Sequence, residues 1–150
     1  MEKNWIEKAL INTPNQIRFA ILEVKKLELI GVESIMKIDW YNRHGELGIF
    51  IGDKRYWGLG YGTEAIILLL DYAFNILNLN KIYLRVIEYN VRAIRAYKKI
   101  GFRVVGRLRN HRFRWERYWD EFIMDILAEE FKSKYKSRFR NLINKNALKL

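Results

Sequence analysis

The sequence predicts an α+β sandwich, in which helices pack on one mixed and mostly antiparallel central sheet. Three observations predict this fold class. The 150 residues are half apolar, which is enough for one domain with a continuous core. Predicted elements follow one another in the order strands, helix, strand, helix, strands. The strand–helix–strand unit requires a parallel pair with a right-handed crossover, whereas the final two strands are joined by a short turn as an antiparallel pair.

Three strands are expected in the first part of the chain. Residues 16–24, QIRFAILEV, alternate between apolar and polar positions as a half-buried strand does, and residues 27–38, LELIGVESIMKI, follow as the second strand after a turn. The segment DWYNRHG, residues 39–45, has the composition of a turn. The third strand, ELGIFIG at residues 46–52, is apolar enough to be central in the sheet.

Two helices alternate with three strands in the rest of the chain. Residues 63–79 are too long for a strand and apolar on nearly every face, which predicts a helix buried against the sheet. A second helix is expected between Asn90, which suits an N-cap, and Gly101, where a helix would end. The other segments with strand patterning are residues 81–88, 102–113 and 118–127.

The net charge of +11 is unevenly distributed along the chain. Residues 1–84 hold ten basic and ten acidic side chains, whereas residues 85–117 hold eleven Lys and Arg against Glu88 and Glu116. This basic cluster attracts anions, and a phosphorylated cofactor, nucleic acid, a ribosome or an acidic lipid would each satisfy it. The charge alone does not choose among these partners.

The composition argues against cysteine-dependent sites, metal sites and insertion into a membrane. There are no cysteines, so a disulfide framework and a cysteine nucleophile are excluded, and the two histidines are too few for most metal sites. We therefore expect no metal. No signal peptide and no transmembrane segment of 18 apolar residues is present, which favours a cytoplasmic protein.

The segment RYWGLGYGTEA, residues 55–65, has three glycines at alternate positions between a predicted strand and a predicted helix. Such a turn lets backbone N–H groups converge beside the positive end of the helix dipole, so phosphate is the natural ligand. A P-loop is excluded because no lysine follows the last glycine, and the G-x-G-x-G spacing departs from the dinucleotide fingerprint. The alternative is that the glycines only permit a tight turn.

Together with YNVRAIRAYKKIGF after the next strand, this segment resembles the two signature motifs of the GNAT N-acetyltransferase superfamily. The resemblance extends over residues 16–127, and it is greatest for the branch of ribosomal-protein N-terminal alanine acetyltransferases and spermidine acetyltransferases, through IDWYNRHGELGIFIGD, LDYAFNILNLNKIYL and RYWDEFIM. The matching residues are Arg55, Gly58, Gly60, Asn90, Ala93, Tyr97, Gly101 and Phe102.

The resemblance implies that acetyl-CoA is the co-substrate. In the family the glycine loop binds the pyrophosphate, and the strand that precedes it binds the pantetheine arm and polarises the thioester carbonyl through a backbone N–H. The basic cluster would help to neutralise the phosphates. The cofactor-binding residues implied for this sequence are Phe50, Ile51, Arg55, Trp57, Gly58, Leu59, Gly60, Tyr61, Gly62, Thr63, Asn90, Ala93 and Tyr97.

The same resemblance implies a catalytic acid and leaves the base open. Tyr97 is at the position of the family's usual acid, and the alternative is that it is only a tyrosine of the core. Glu46 and Glu88 are candidate bases, and the alternative is that they are solvated glutamates at the ends of strands. The expected function is acetyl transfer to a primary amine, on a protein N-terminus or a small molecule, by direct attack in a ternary complex. The alternative is a non-catalytic module that binds acyl-CoA or nucleic acid.

An acceptor class can be weighed by the cost of deprotonating its amine at pH 7. A lysine-like amine costs about 4.6 kcal/mol, whereas an α-amine near pKa 7.8 costs about 1 kcal/mol. A polyamine further requires that acidic residues cluster locally on this basic protein, with Glu33, Asp39 and Glu46 as the candidates.

The two ends of the sequence differ from the rest of the pattern. Only fifteen residues precede Gln16, so we expect the family's first strand and helix to be lacking from a domain at residues 1–127. Either the acceptor site is then open, or a second subunit in a homodimer completes it, or activity is lost. Residues 128–150 are predicted to form a basic amphipathic helix, which docks on its own domain or a partner subunit, or binds a nucleic acid, a ribosome or a membrane. Its apolar positions are Phe131, Tyr135, Phe139 and Leu142.

Overall fold

The computed structural model describes residues 12–139, and it places them in one six-stranded sheet with three helices. The predicted mixed sheet with flanking helices is confirmed. The strands are β1 Ile17–Leu22, β2 Leu29–Asp39, β3 His44–Ile51, β4 Lys81–Ile87, β5 Arg103–Arg114 and β6 Arg117–Leu127. The helices are α1 Tyr61–Asn75, α2 Val91–Ile100 and α3 Ala128–Lys134, and a 3-10 turn covers Lys54–Tyr56.

The strand order is β1-β2-β3-β4-β6-β5, and every neighbouring pair is antiparallel except β3 and β4. Within the described part of the chain, these two parallel strands pair only over His44–Glu46 and Lys81–Tyr83. Beyond that point β4 continues along β6 as far as Ile87, while β3 follows β2 to Ile51. The two central strands therefore diverge, and we call the gap that opens between them the splay.

One face of the sheet is covered by α1. Alternate residues of a strand point to opposite faces, so Leu47 on β3 and the buried Ile35 opposite it face the helix, where Leu70 and Phe74 complete the core. These four side chains are at most 5% exposed. Because α1 begins directly after the glycine loop, its packing against the sheet also fixes the position of that loop.

The predicted C-terminal helix is interrupted after Lys134. Residues 138–139 are helical again, and the part of the prediction that covers residues 140–150 lies outside the described residues. The backbone at Tyr135 is extended, and the Tyr135 hydroxyl donates a hydrogen bond to the carbonyl of Ile100 at 2.9 Å. The Arg138 amide donates a further hydrogen bond to Asp71 of α1 at 2.7 Å, so the chain follows the body of the domain. Phe131 is buried in the core, and Phe139 packs on Tyr72 with ring centroids 5.9 Å apart. Up to Phe139 the segment thus packs on its own domain, and Leu142 lies outside the described residues.

No helix within residues 12–139 is long and apolar enough to cross a membrane.

Glu33 on β2 is a buried carboxyl group on the face covered by α1. It pairs directly with Ile49 on β3 and with Phe19 on β1, and Phe19 packs on Tyr72 of α1. The Glu33 side chain has no hydrogen-bond partner among the described residues, and its Oε2 atom is fully buried. Burial raises the pKa of Glu33 to about 8, so this carboxyl is largely protonated at neutral pH.

We expect Glu33→Gln to flatten the pH dependence of stability. The unfolded chain releases this proton near pH 4.5 and the folded chain near pH 8, so the wild type loses up to about 1.4 kcal/mol per pH unit across that window. Glutamine does not titrate, and the variant should lack this loss. Urea unfolding at pH 5, 6, 7 and 8 measures it, with the exposed Glu129→Gln as control. Equal slopes for Glu33→Gln and the wild type would contradict a protonated Glu33.

Candidate functional site

A cavity of about 350 Å³ lies where the end of β3, the glycine loop and the first turns of α2 meet. It is open to solvent on one side of the splay. Most of the residues predicted to bind a cofactor lie together in its wall. The lining residues are Ile49, Phe50, Ile51, Tyr56, Trp57, Gly58, Gly60, Gly62, Thr63, Ile66, Asn90, Arg92, Ala93, Ala96 and Tyr97.

The glycine loop supplies the polar end of this cavity. Gly58 and Gly60 have φ angles of 72° and 90°, a left-handed conformation that side chains other than glycine rarely adopt. Gly60 caps α1 without a side-chain hydrogen bond, so the amides of the first turn of α1 remain available. The loop conformation and the helix dipole together favour an anionic group at this end.

Arg92 is a cavity residue that sequence reasoning did not single out. Its guanidinium lies 4.3 Å from the centre of the Trp57 ring, and Trp57 in turn donates a hydrogen bond to the Ile51 carbonyl at 2.8 Å. Arg92 forms no salt bridge within residues 12–139, so its charge is available to a ligand. The basic cluster as a whole was noted in the sequence, and the position of Arg92 between Asn90 and Ala93 of the second motif was the signal that could have identified it.

Among the described arginines of the basic cluster, only Arg92 lines the cavity, and four of the other eight have acidic partners, including Arg103, which pairs with Glu130. Arg85 pairs with Glu46, Arg107 with Asp120, and Arg112 with Glu121. The prediction that the cluster neutralises a cofactor's phosphates therefore rests mainly on Arg92.

The C-terminal half of β3 forms one edge of the cavity. Its residues 49–51 pair with β2 on one side and, because β4 has diverged, have no partner strand among residues 12–139 on the other. Backbone N–H and C=O groups that face an open gap can pair with an extended ligand as an added strand would. Phe50 and Ile51, predicted to contact the cofactor, both line the cavity here.

Tyr97 lies on α2, on the side of the cavity that faces β3. Asn90 caps this helix by accepting a hydrogen bond from the Ala93 amide, at 3.3 Å, and Tyr97 packs against Phe102 beyond the helix end. Burial raises the pKa of Tyr97 above its ordinary value of 10.0, so the phenol is protonated at neutral pH. Within the described residues its hydroxyl has no hydrogen-bond partner and is free to donate to a ligand.

Glu46 lies at the start of the splay but not in the cavity wall. Neighbouring Leu47 faces α1, so Glu46 faces the opposite side of the sheet, where it accepts hydrogen bonds from Arg85 at 3.1 Å and Lys37 at 2.7 Å. Burial alone would raise the pKa of Glu46, but the bonds from Arg85 and Lys37 outweigh it and lower the pKa. A carboxylate that is paired with two cations is a weak base. Through these two hydrogen bonds Glu46 links β3 to β2 and β4 at the point where β3 and β4 diverge.

We expect Glu46→Gln to reduce stability more than turnover. The change removes the anion between two cations and should cost about 1–2 kcal/mol of unfolding free energy above pH 5, with a smaller cost at lower pH, where the wild-type carboxylate also becomes protonated. Denaturant unfolding and kcat at several pH values measure the two effects, and Glu64→Gln, in an exposed ion pair with Arg138, is the control. A hundredfold fall in kcat without a loss of stability would instead identify Glu46 as the base.

Glu88, the other candidate base, follows the end of β4. One of its carboxylate oxygens accepts a hydrogen bond from the Asp120 amide, at 2.8 Å, so it ties β4 to β6. It does not line the cavity. Its role as a base therefore remains a prediction, and it would require an acceptor that reaches beyond the cavity wall.

Three residues predicted to bind the cofactor also lie outside the cavity wall. Arg55 is turned towards Asp53, with which it forms an exposed ion pair at 2.6 Å. Leu59 is exposed, and Tyr61 packs against Tyr56, with ring centroids 5.2 Å apart. Besides Arg92, four lining residues were not anticipated, namely Ile49, Tyr56, Ile66 and Ala96.

The three acidic residues considered for a polyamine site do not form a cluster. Glu33 is buried beneath α1, whereas Glu46 lies on the opposite face and is neutralised by its ion pairs. Asp39, at the end of β2, accepts hydrogen bonds from the backbone and side chain of Asn42. Among residues 12–139 no three His, Asp or Glu lie close enough together to hold a metal ion.

Comparisons with known proteins agree with this architecture. Residues 1–103 match the family model described as an acetyltransferase (GNAT) domain. Over 120 residues the chain is 33% identical to a spermidine N(1)-acetyltransferase of Escherichia coli, covering 80% of this chain and 64% of that protein. Over 114 residues it is 32% identical to an uncharacterized N-acetyltransferase, p20, of Bacillus licheniformis, covering 76% of this chain and 64% of the relative.

The chain thus spans slightly less than two thirds of the length of these curated relatives. Among solved structures, it is similar to the spermidine N-acetyltransferase of Vibrio cholerae in complex with CoA and spermine. The TM-score is 0.77 at 32% identity, and the match covers 87% of this chain and 76% of that one.

Proposed function

Because the chain belongs to the acetyltransferase (GNAT) family, we propose that it transfers an acetyl group from acetyl-CoA to a primary amine. One observation carries the proposal: a single cavity joins the uncapped start of α1, the unpaired edge of β3 and the Tyr97 hydroxyl. The start of α1 can bind an anion, the edge of β3 can hydrogen-bond an extended chain that contains amides, and the hydroxyl can donate a proton. Acetyl-CoA contains the matching groups in the same order, as pyrophosphate, pantetheine and thioester.

The residues present suit this co-substrate. The amides at Gly60–Thr63 and the charge of Arg92 favour the pyrophosphate, and the open edge of residues 49–51 favours the two amides of the pantetheine arm. Ile49, Ile66 and Ala96 provide an apolar lining for the methylene groups. A homologue that binds CoA, from Vibrio cholerae, shares the fold and is consistent with this assignment.

The reaction that follows is direct attack by the amine. The neutral nitrogen forms a C–N bond to the acetyl carbon, the C–S bond breaks, and the departing thiolate takes the proton of the Tyr97 hydroxyl. The nitrogen, which becomes cationic on attack, releases one proton to solvent, and the Tyr97 phenolate regains one from solvent, so the products are the neutral amide and the free thiol. A backbone N–H of residues 50–51 would stabilise the oxyanion. The chain has no cysteine, and within the described part of the chain the hydroxyl groups that line the cavity are those of Tyr56, Thr63 and Tyr97, which favours a ternary complex over a covalent acetyl intermediate.

Two acceptor classes are favoured by different observations. Two relatives are named for spermidine acetylation, which favours a polyamine. The charges of the described residues favour an α-amine instead, since Glu33, Asp39 and Glu46 do not combine into an acidic surface. An α-amine also needs roughly 3–4 kcal/mol less to reach its neutral form at pH 7.

The test is release of free thiol from acetyl-CoA by the purified chain in the presence of defined amines. Spermidine, peptides with a free N-terminus and amino sugars are compared at equal concentration, and mass spectrometry identifies the acetylated product. We expect release that depends on one amine class. Binding of acetyl-CoA without transfer to any amine would favour a non-catalytic acyl-CoA-binding module, and the absence of binding would contradict both.

A further inference from the structure

The hairpin formed by β5 and β6 ends in an exposed tip that carries three large aromatic side chains. Every residue from 109 to 118 is exposed, and we call this segment the hairpin tip. Phe113, Trp115 and Tyr118 are 63%, 71% and 57% exposed. Three large aromatic side chains within ten residues are rarely all exposed to water, which indicates that this surface binds a partner.

The turn at the end of the hairpin holds a tryptophan in a strained conformation. Arg114 pairs with Arg117, and the two residues between them, Trp115 and Glu116, have φ angles of 51° and 57°. Asn and Gly are the usual residues at such positions, because bulky side chains are disfavoured in the left-handed region. The Trp115 ring packs against Tyr89 and, edge to face, against Trp119, with ring centroids 4.9 Å and 6.1 Å apart, and most of the side chain remains in solvent.

The charges of the hairpin tip are mostly positive. It contains Arg109, Arg112, Arg114 and Arg117 against Glu116. Arg112 pairs with Glu121, whereas within the described part of the chain Arg109, Arg114 and Arg117 form no salt bridge. The Arg117 guanidinium lies 3.7 Å from the centre of the Trp119 ring, so cation and aromatic face are already combined. A partner for this surface must therefore be anionic and able to stack.

We propose that the hairpin tip binds single-stranded nucleic acid, with bases stacked on its exposed rings and arginines on the phosphates. Aromatic platforms combined with free arginines are the features that bind single strands without a sequence code. The rings lie on both faces of the ribbon, because Phe113 pairs with Tyr118 on one face while Trp115 stacks with Trp119 on the other. A flexible nucleic-acid strand can contact both faces of the ribbon, whereas a flat bilayer contacts only one. A second copy of the hairpin tip would be repelled, because both tips are positively charged.

The binding experiment uses the full chain and fluorescein-labelled 15-nucleotide oligoadenylate and oligouridylate, followed by anisotropy at 50 and 200 mM salt. We expect Trp115→Asn to weaken binding at least fivefold, as the loss of one stacked base would. Asparagine suits the turn better than tryptophan does, so the variant should fold normally. Arg114→Gln combined with Arg117→Gln should lower the salt slope by about 1.4, because each phosphate contact contributes about 0.7.

Matched controls separate the hairpin tip from the general positive charge of the protein. Lys25→Gln with Lys26→Gln removes the same charge from the β1–β2 turn, and Tyr41→Ala removes another exposed ring, 93% accessible, at the β2–β3 turn. Both should leave binding within twofold of the wild type. The proposal is overturned if these controls weaken binding as much as the tip variants do, or if the chain binds neither oligonucleotide. It is also overturned if Trp115→Asn instead abolishes binding to phosphatidylserine vesicles or self-association in sedimentation, with oligonucleotide binding unchanged.

Discussion

Tyr97→Phe is expected to lower kcat for acetyl transfer by roughly 10²–10³-fold, within the range that general acid catalysis supplies. The change removes one oxygen from a half-buried side chain and leaves its packing against Phe102 in place. Because the hydroxyl has no hydrogen-bond partner among the described residues, its removal leaves no protein group unsatisfied. The dissociation constant for acetyl-CoA, measured by calorimetry, should therefore change less than twofold.

The matched control for this variant is Tyr61→Phe. Tyr61 is a partly buried tyrosine at the start of α1 that packs on Tyr56 but does not line the cavity. We expect it to keep at least half of the wild-type kcat. If Tyr97→Phe also keeps wild-type turnover, water or another group protonates the thiolate, and Tyr97 is a packing residue.

Gly60→Val is expected to weaken acetyl-CoA binding at least tenfold. Gly60 has a φ angle of 90°, where a β-branched residue is strained, so the loop should shift to relieve it. Apart from its chain neighbours, no described residue has an atom within 4 Å of the position a Cβ would take, so steric conflict with them is not the cause. Gly60 lines the cavity at the end where we propose that the pyrophosphate binds.

The corresponding control is Gly106→Ala on β5. Gly106 lies far along the sheet from the cavity, its φ is not in the left-handed region, and a Cβ there would make ordinary contacts with Ile123. Calorimetric titration with CoA should give wild-type affinity for this control and weak binding for Gly60→Val. Wild-type affinity in Gly60→Val would mean that the phosphates lie elsewhere.

Local signals explain why much of the fold could be predicted. Strand alternation and helix length depend on residues close in sequence, as do the cap at Asn90 and the helix end at Gly101, and both of these residues act as predicted. The glycine loop and the second motif were likewise contiguous patterns, so most of their residues line the cavity.

Contacts between distant parts of the chain explain what could not be predicted. Glu46 faces away from the cavity because of its strand register, and Arg85, 39 residues later, becomes its partner only when β3 and β4 pair. The C-terminal helix is interrupted after Lys134, where the Tyr135 hydroxyl donates a hydrogen bond to the carbonyl of Ile100, 35 residues earlier, and the amphipathic pattern does not reveal this contact. Glu33 resembles any strand glutamate until α1 covers it.

Amide hydrogen exchange with and without acetyl-CoA, resolved along the chain by mass spectrometry, tests the central claim most directly. If the cavity between β3, the glycine loop and α2 is the acetyl-CoA site, exchange should slow at residues 49–51, 57–63 and 90–97. It should remain unchanged in β1 and in the hairpin tip. Protection confined to other segments, or no protection at saturating acetyl-CoA, would contradict the assignment of this cavity and the function proposed from it.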